Sequence, residues 1–181
     1  MNRRIKVSGI LILCGILLIV ISSGLLVYRY FAGRENSNTQ ADQLLSQLKE
    51  ALPDHSDQSE TERDKLSVYS VKGYELAGIL KMPDGTEWAL STKETTVLPQ
   101  IQKNGKNLTI TGTSEMFSDF SEYHQGNKFV FTDVYGVHHT YILQDVSYME
   151  DRDKVTDYDL VLISNTKYKS FYVATCREGD S

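Results

Sequence analysis

Only three prolines and two cysteines occur among the 181 residues. Two cysteines cannot build a disulfide-rich scaffold or a four-thiolate zinc site. So few prolines also exclude a proline-rich stalk. A basic excess is missing too: 19 Lys+Arg stand against 24 Asp+Glu. Residues 1–32 hold four bases (Arg3, Arg4, Lys6, Arg29) and no acid, which leaves 15 bases against 24 acids in residues 33–181, a formal charge of −9. A nucleic-acid binder needs a basic face to displace counterions, so the composition argues against that class. There is no internal repeat and no low-complexity tract. The length allows one ordinary domain with appendages, not two full domains.

What the chain does have is one long apolar run. From Val7 to Tyr28 there are 22 consecutive residues without a charge. About 20 apolar residues in a helix cross a bilayer core. A cleaved signal peptide would have a shorter apolar region ending in a small-x-small site. This run instead leads into Tyr28, Arg29, Tyr30 and Phe31, which read as an interfacial anchor. Arg3, Arg4 and Lys6 precede the span, and Arg29 and Arg34 follow it. The short basic stub is the easier side to keep in the cytoplasm. The expected layout is a cytoplasmic stub at 1–6, a transmembrane anchor at 7–28, an extracellular stalk and linker at 29–66, and a folded extracellular domain at 67–181. The chain would then be a single-pass protein of the cell membrane. Cys14 falls inside the span as a packing residue, so Cys176 is the one exported thiol and has no disulfide partner.

Within the stalk, Leu44, Leu45, Leu48, Ala51 and Leu52 recur at helical spacing, with Asn38 or Thr39 as possible caps and Pro53 as a stop. The charged stretch around His55 reads as a solvated linker. From about Leu66 the pattern changes to short runs rich in Val, Ile, Thr, Tyr and Phe: SVYSV, YELAGILKM, EWALS, NLTITG, KFVFTDVYGV, HTYILQDVSYM, DLVLIS and SFYVATC. MPDGTEW reads as a Pro-Asp-Gly turn between two strands. SEMFSDFSEY reads as a short helix that buries Met116, Phe117 and Phe120, with Ser114 as cap. The spacing predicts an all-β domain, a closed or nearly closed barrel or a sandwich of about seven strands with one short helix.

The sharpest chemical feature is YVATCREGDS at the C-terminus, where a β-run leads into Cys176 and Arg177. A cysteine at a strand end is reachable at the rim, and a neighbouring guanidinium favours thiolate. His124 follows the short helix. His138 and His139 are adjacent in a strand, so their side chains point to opposite faces. No pair of histidines has metal spacing. Glu150, Asp151, Asp153, Asp157 and Asp159 lie close together but lack the order of a calcium loop, and read as a solvated acidic loop. Neither a metal nor a cofactor is implied.

In order along the chain, YELAGILKMPDGTEWAL, the block NLTITGTSEMFSDFSEYHQGNKFVFTDVYGVHHTYILQDV and the pair DLVLIS…FYVATC resemble the sortases, the Gram-positive surface transpeptidases. The resemblance covers roughly 100 residues from about Tyr74 onward, and a membrane anchor with a polar stalk is the usual sortase layout. It implies a sortase-like β-barrel and a cysteine transpeptidase acting on sorting-signal peptides of surface proteins or pilins. The thiolate attacks the peptide between its Thr and Gly, and an amine resolves the acyl-enzyme. The family uses a Cys nucleophile, a His that exchanges protons, and an Arg that stabilises the oxyanion. Under this resemblance Cys176 is the nucleophile, at the end of a strand like the family's Thr-Leu-x-Thr-Cys motif, and Thr175 is a candidate peptide contact. The family's histidine follows a strand-end glycine. Here that glycine is Gly112 and the next residue is Thr113, 63 residues before Cys176. Threonine does not titrate near neutral pH. Arg177 is adjacent to the cysteine rather than across a pocket, and five residues later the chain stops, so the family's arginine strand is expected to be missing and a sheet edge left open. Three readings follow: a sortase of impaired activity, a sortase-like accessory protein that binds a sorting-signal or pilin-type partner without turnover, and a truncated chain.

Overall fold

The computed structural model describes residues 21, 39–52, 66–117, 119–150, 157–166 and 170–179. The chain divides into two compact units, Met1–Gln40 and Ala41–Ser181, and nearly all described residues belong to the second. Apart from Ile21, the expected span at 7–28 lies outside the described residues, as does the stub at 1–6. Among the described residues no helix is long and apolar enough to cross a membrane.

Among the described residues there are nine strands: β1 (Tyr69–Val71), β2 (Tyr74–Lys81), β3 (Glu87–Ser91), β4 (Gln100–Asn104), β5 (Asn107–Thr113), β6 (Lys128–Asp133), β7 (His138–Met149), β8 (Leu160–Asn165) and β9 (Phe171–Glu178). They form one sheet in the order β1-β2-β3-β4-β5-β8-β9-β7-β6, and a β2–β6 pairing closes eight of them into a barrel. β1 is added along β2, outside the ring. The all-β expectation holds, but the strand count was too low. The strand absent from the sequence reading is β4, whose QIQKN carries one apolar residue, Ile101, buried against the core. The expected open edge is also corrected. β9 lies between β8 and β7 and pairs with both, so the ring is complete.

Alternation fills the barrel. In β5, Leu108, Ile110 and Gly112 are buried while Asn107 and Thr113 are exposed and Thr109 and Thr111 half-buried. The interior is packed with Leu80, Leu90, Ile110, Phe129, Leu143 and Leu162, among others. Ring closure needs a glycine: at Gly78, with φ +150°, an added Cβ would run into the Thr132 carbonyl oxygen of β6. The Pro-Asp-Gly turn forms between β2 and β3, where Met82 N–H donates to the Thr86 carbonyl at 2.8 Å and Thr86 N–H to the Asp84 carboxylate at 2.8 Å.

Residues 39–51 form helix α1. Its buried stripe is Ala41, Leu44 and Leu48, one face of a helix. That stripe packs on Val71, Leu76, Ile79, Ala89 and Leu98, the outer apolar face of the β1–β3 region. Lys49 also pairs with Glu87 of β3. The helix expected in the stalk is therefore docked on the barrel wall, within the same compact unit. Pro53 and the linker to residue 65 lie outside the described residues.

The second helix, α2 (Ser114–Phe117), is shorter than the segment that suggested it. Phe117 and Phe120 are buried as expected, and Met116 is half-buried against the core. Phe120 adopts φ +56°, so the chain turns sharply after the helix, and Asp119 holds the turn by accepting from Ser121 N–H at 3.0 Å.

Candidate functional site

Strand register decides which strand ends meet. β5 and β8 run parallel, with Gly112 beside Ser164 and Thr113 beside Asn165. β8 and β9 run antiparallel, with Asn165 opposite Phe171 and Leu160 opposite Cys176. Phe171 in turn faces Met149 of β7. Thr113, Asn165, Phe171 and Met149 thus form one row at one rim of the barrel. Cys176 lies five β8 residues away, roughly 17 Å at about 3.3 Å per residue, toward the opposite end.

The environment of Cys176 matches that placement. Its side chain is 0% exposed and packs in the barrel core. Burial pushes its thiol up to about 12. Arg177 does not act on the sulfur. Alternation sends it to the other face, where it lies 3.6 Å from the Asp157 carboxylate and stacks 5.2 Å over the Tyr158 ring. Thr175 is also buried, and its hydroxyl donates to the Asp145 carbonyl at 3.3 Å. The structure therefore separates Cys176 from Thr113 and gives the thiol none of the surroundings that lower a cysteine pKa.

None of the three histidines among the described residues joins the rim row. His124 is exposed in the loop after α2, where its N–H donates to Asn127 Oδ1 at 2.8 Å. His138 and His139 begin β7, beyond the level of Cys176. His138 Nδ1 lies 2.8 Å from Thr132 Oγ1. His139 stacks on Phe131 and stands 3.8 Å from the Asp133 carboxylate. Burial works to raise the Asp133 pKa, but the His139 imidazole and the N–H groups of Val137 and Tyr135 outweigh it and hold the carboxyl below its ordinary range. Among the described residues no group of three or more His, Cys, Asp and Glu could hold a metal ion. Residues 151–156 of the acidic loop lie outside the described residues.

Beside the rim row, the outer face of β4, β5 and β8 forms a groove of about 340 Å³ lined by Glu94, Gln100, Gln102, Thr109, Thr111, Val161, Ile163 and Asn165. Register explains the lining. Gln100 pairs with Thr111 and Gln102 with Thr109, while Thr109 sits beside Val161 and Thr111 beside Ile163. Every one of these strand residues points out of the barrel. One half of the floor carries hydroxyls and carboxamides, and the other carries two aliphatic side chains. Such a surface hydrogen-bonds to neutral polar groups and packs on an apolar side chain.

A thiol that exchanged protons with a group at position 113 would have to stand on the strand end beside it, which is position 165. The chain carries Asn there. Leu162-Ile163-Ser164-Asn165 ends the strand beside Thr113, and the FYVATC run belongs to the next strand. DLVLIS and FYVATC are therefore two strands rather than one motif, and neither Asn165 nor the groove is among the residues the sequence singles out. The available signal was the step from the apolar DLVLI to the polar Ser164 and Asn165.

The chain superposes on sortase C from Clostridium perfringens SM101 with a TM-score of 0.50 at 12% identity, covering 77% of this chain and 89% of that one. On sortase A from Corynebacterium diphtheriae the TM-score is 0.51 at 13% identity, covering 60% of this chain and 62% of that one, under two thirds of its length. No protein-family model matches the sequence, and no curated protein matches it. The chain has the sortase fold.

Proposed function

We propose that this sortase-fold chain is a membrane-anchored protein of the cell surface that holds an extended peptide, of the sorting-signal or pilin type, without transferring it. The observation that carries the reading is the pairing of Thr113 with Asn165 at the rim, while Cys176 is sealed in the core toward the other end. Transfer through a thioacyl intermediate needs a reachable thiolate within hydrogen-bond distance of its base. A hydroxyl beside a carboxamide supplies neither nucleophile nor base near neutral pH. What remains suits binding. The Gln and Thr side chains of the groove offer donors and acceptors to a peptide backbone, and Val161 and Ile163 offer an apolar wall. The apolar run at 7–28 supports a single anchor, and the bases at Arg3, Arg4 and Lys6 support a cytoplasmic N-terminus with the barrel outside.

The competing reading, a cysteine transpeptidase acting through Cys176, makes an opposite prediction for the thiol. The full chain carrying Cys14→Ser is alkylated under native conditions from about pH 5 to 10. The expected result is slow labelling with a midpoint above the ordinary value of about 8.5. Fast labelling with a midpoint below about 8 would overturn the binding reading and restore the enzyme.

A further inference from the structure

We propose that the groove selects a basic peptide segment, with Glu94 as the carboxylate that pairs with its cation. This deepens the peptide-binding reading above and rests on it. Glu94 is the only ionisable side chain among the eight that line the groove; the others are amides, hydroxyls and aliphatics. The nearest cation in sequence does not neutralise it. Lys93 is engaged elsewhere, with Nζ 2.7 Å from Oε1 of Glu75.

Glu94 is also carried on an ordered loop. Between β3 and β4, Ser91 N–H donates to the Pro99 carbonyl at 2.9 Å, and Thr92 N–H to the Glu75 carbonyl at 3.0 Å. The Thr95 hydroxyl bridges to Leu98, accepting from its N–H at 2.9 Å and donating to its carbonyl at 3.1 Å. Glu94 therefore lines the groove from a hydrogen-bonded loop. The field of the whole unit has the same sign: residues 41–181 hold 14 bases and 23 acids, a formal charge of −9. That field draws a cationic segment toward the groove and repels an acidic one. An exposed pair of opposite charges contributes a factor of about two to five in affinity, so Glu94 biases the choice of peptide, and the neutral floor supplies most of the contact.

The test uses a displayed library of randomised octapeptides, selected on the full-length protein in detergent at low salt, with the recovered pool sequenced. Lys and Arg are expected to be enriched, and Asp and Glu depleted, by about twofold or more over the input. Glu94→Gln, a change at an exposed loop side chain, should cut both biases by about half or more and lower recovery by about twofold to fivefold. If neither protein recovers peptides above a blank surface, the peptide-binding reading fails and takes this inference with it. If peptides are recovered but show no basic bias, or the bias is undiminished in Glu94→Gln, this inference alone is overturned.

Discussion

At the residue scale the two candidate positions behave as opposites. Cys176 is a neutral core residue whose thiol is pushed by burial up to about 12. An unfolded chain ionises the same thiol from about pH 8.5. The folded state gains stability by keeping the proton, fully below pH 8.5, and loses it as the pH rises toward 12. Urea unfolding at pH 7.5, 9 and 10.5 should show wild-type stability falling faster than that of Cys176→Ala, by up to about 1.4 kcal/mol per pH unit. Equal slopes in the two proteins would mean that the thiol is not held neutral. Position 165 predicts the reverse. A thiol placed there by Asn165→Cys, with Cys14→Ser and Cys176→Ala removing the native ones, stands on a groove wall at the rim. It should alkylate at least about tenfold faster than buried Cys176, with a midpoint near 8.5. Adding Thr113→His puts an imidazole on the neighbouring strand, about 4.8 Å away backbone to backbone. The midpoint should then drop below about 8. No drop would show that side chains at 113 and 165 do not meet.

At the element scale, the β5–α2 junction is fixed by a close approach. A Cβ added at Gly112 would lie 2.7 Å from the Phe117 ring, which covers the strand end just before Thr113. Gly112→Ala should destabilise the fold by about 1–3 kcal/mol, as overpacking does, and thermal unfolding measures it. The turn at Asp84-Gly85 and the buried Phe117 and Phe120 were legible in the sequence, because turn chemistry and apolar spacing are local signals; Gly112 was marked only by the family resemblance. Two features were not legible. β4 was invisible because Gln100 and Gln102 face the groove, which leaves Ile101 as its only apolar residue. The separation of Cys176 from Thr113 was hidden for a different reason. LVLIS and FYVATC are both apolar runs, and the polar step at Ser164 and Asn165 marks a strand end without saying that it lies beside Thr113. Only the parallel register of β5 with β8 puts Asn165 there, and register is a tertiary property.

At the scale of the whole molecule, the barrel's inner core and its outer cover meet at one residue. Trp88 is the only tryptophan in the chain. It is half-buried and packs against both the interior cluster and the cluster capped by α1. Its fluorescence therefore reports both at once. If the docked helix and the barrel form one cooperative unit, weakening the helix must weaken the barrel as well. Leu44 and Leu48 are 1% and 0% exposed, and truncating a buried leucine removes about 2–5 kcal/mol. In a unit of this size each kcal/mol shifts Tm by about 2–4 °C. Leu48→Ala alone should lower Tm by at least about 4 °C, and the double variant Leu44→Ala/Leu48→Ala by roughly twice that. Trp88 fluorescence and far-ultraviolet circular dichroism should move together in one transition. A stalk helix that merely spaced the barrel from a membrane would behave otherwise. Its leucines could be truncated with the Trp88 transition unmoved, and that result would separate α1 from the folded domain.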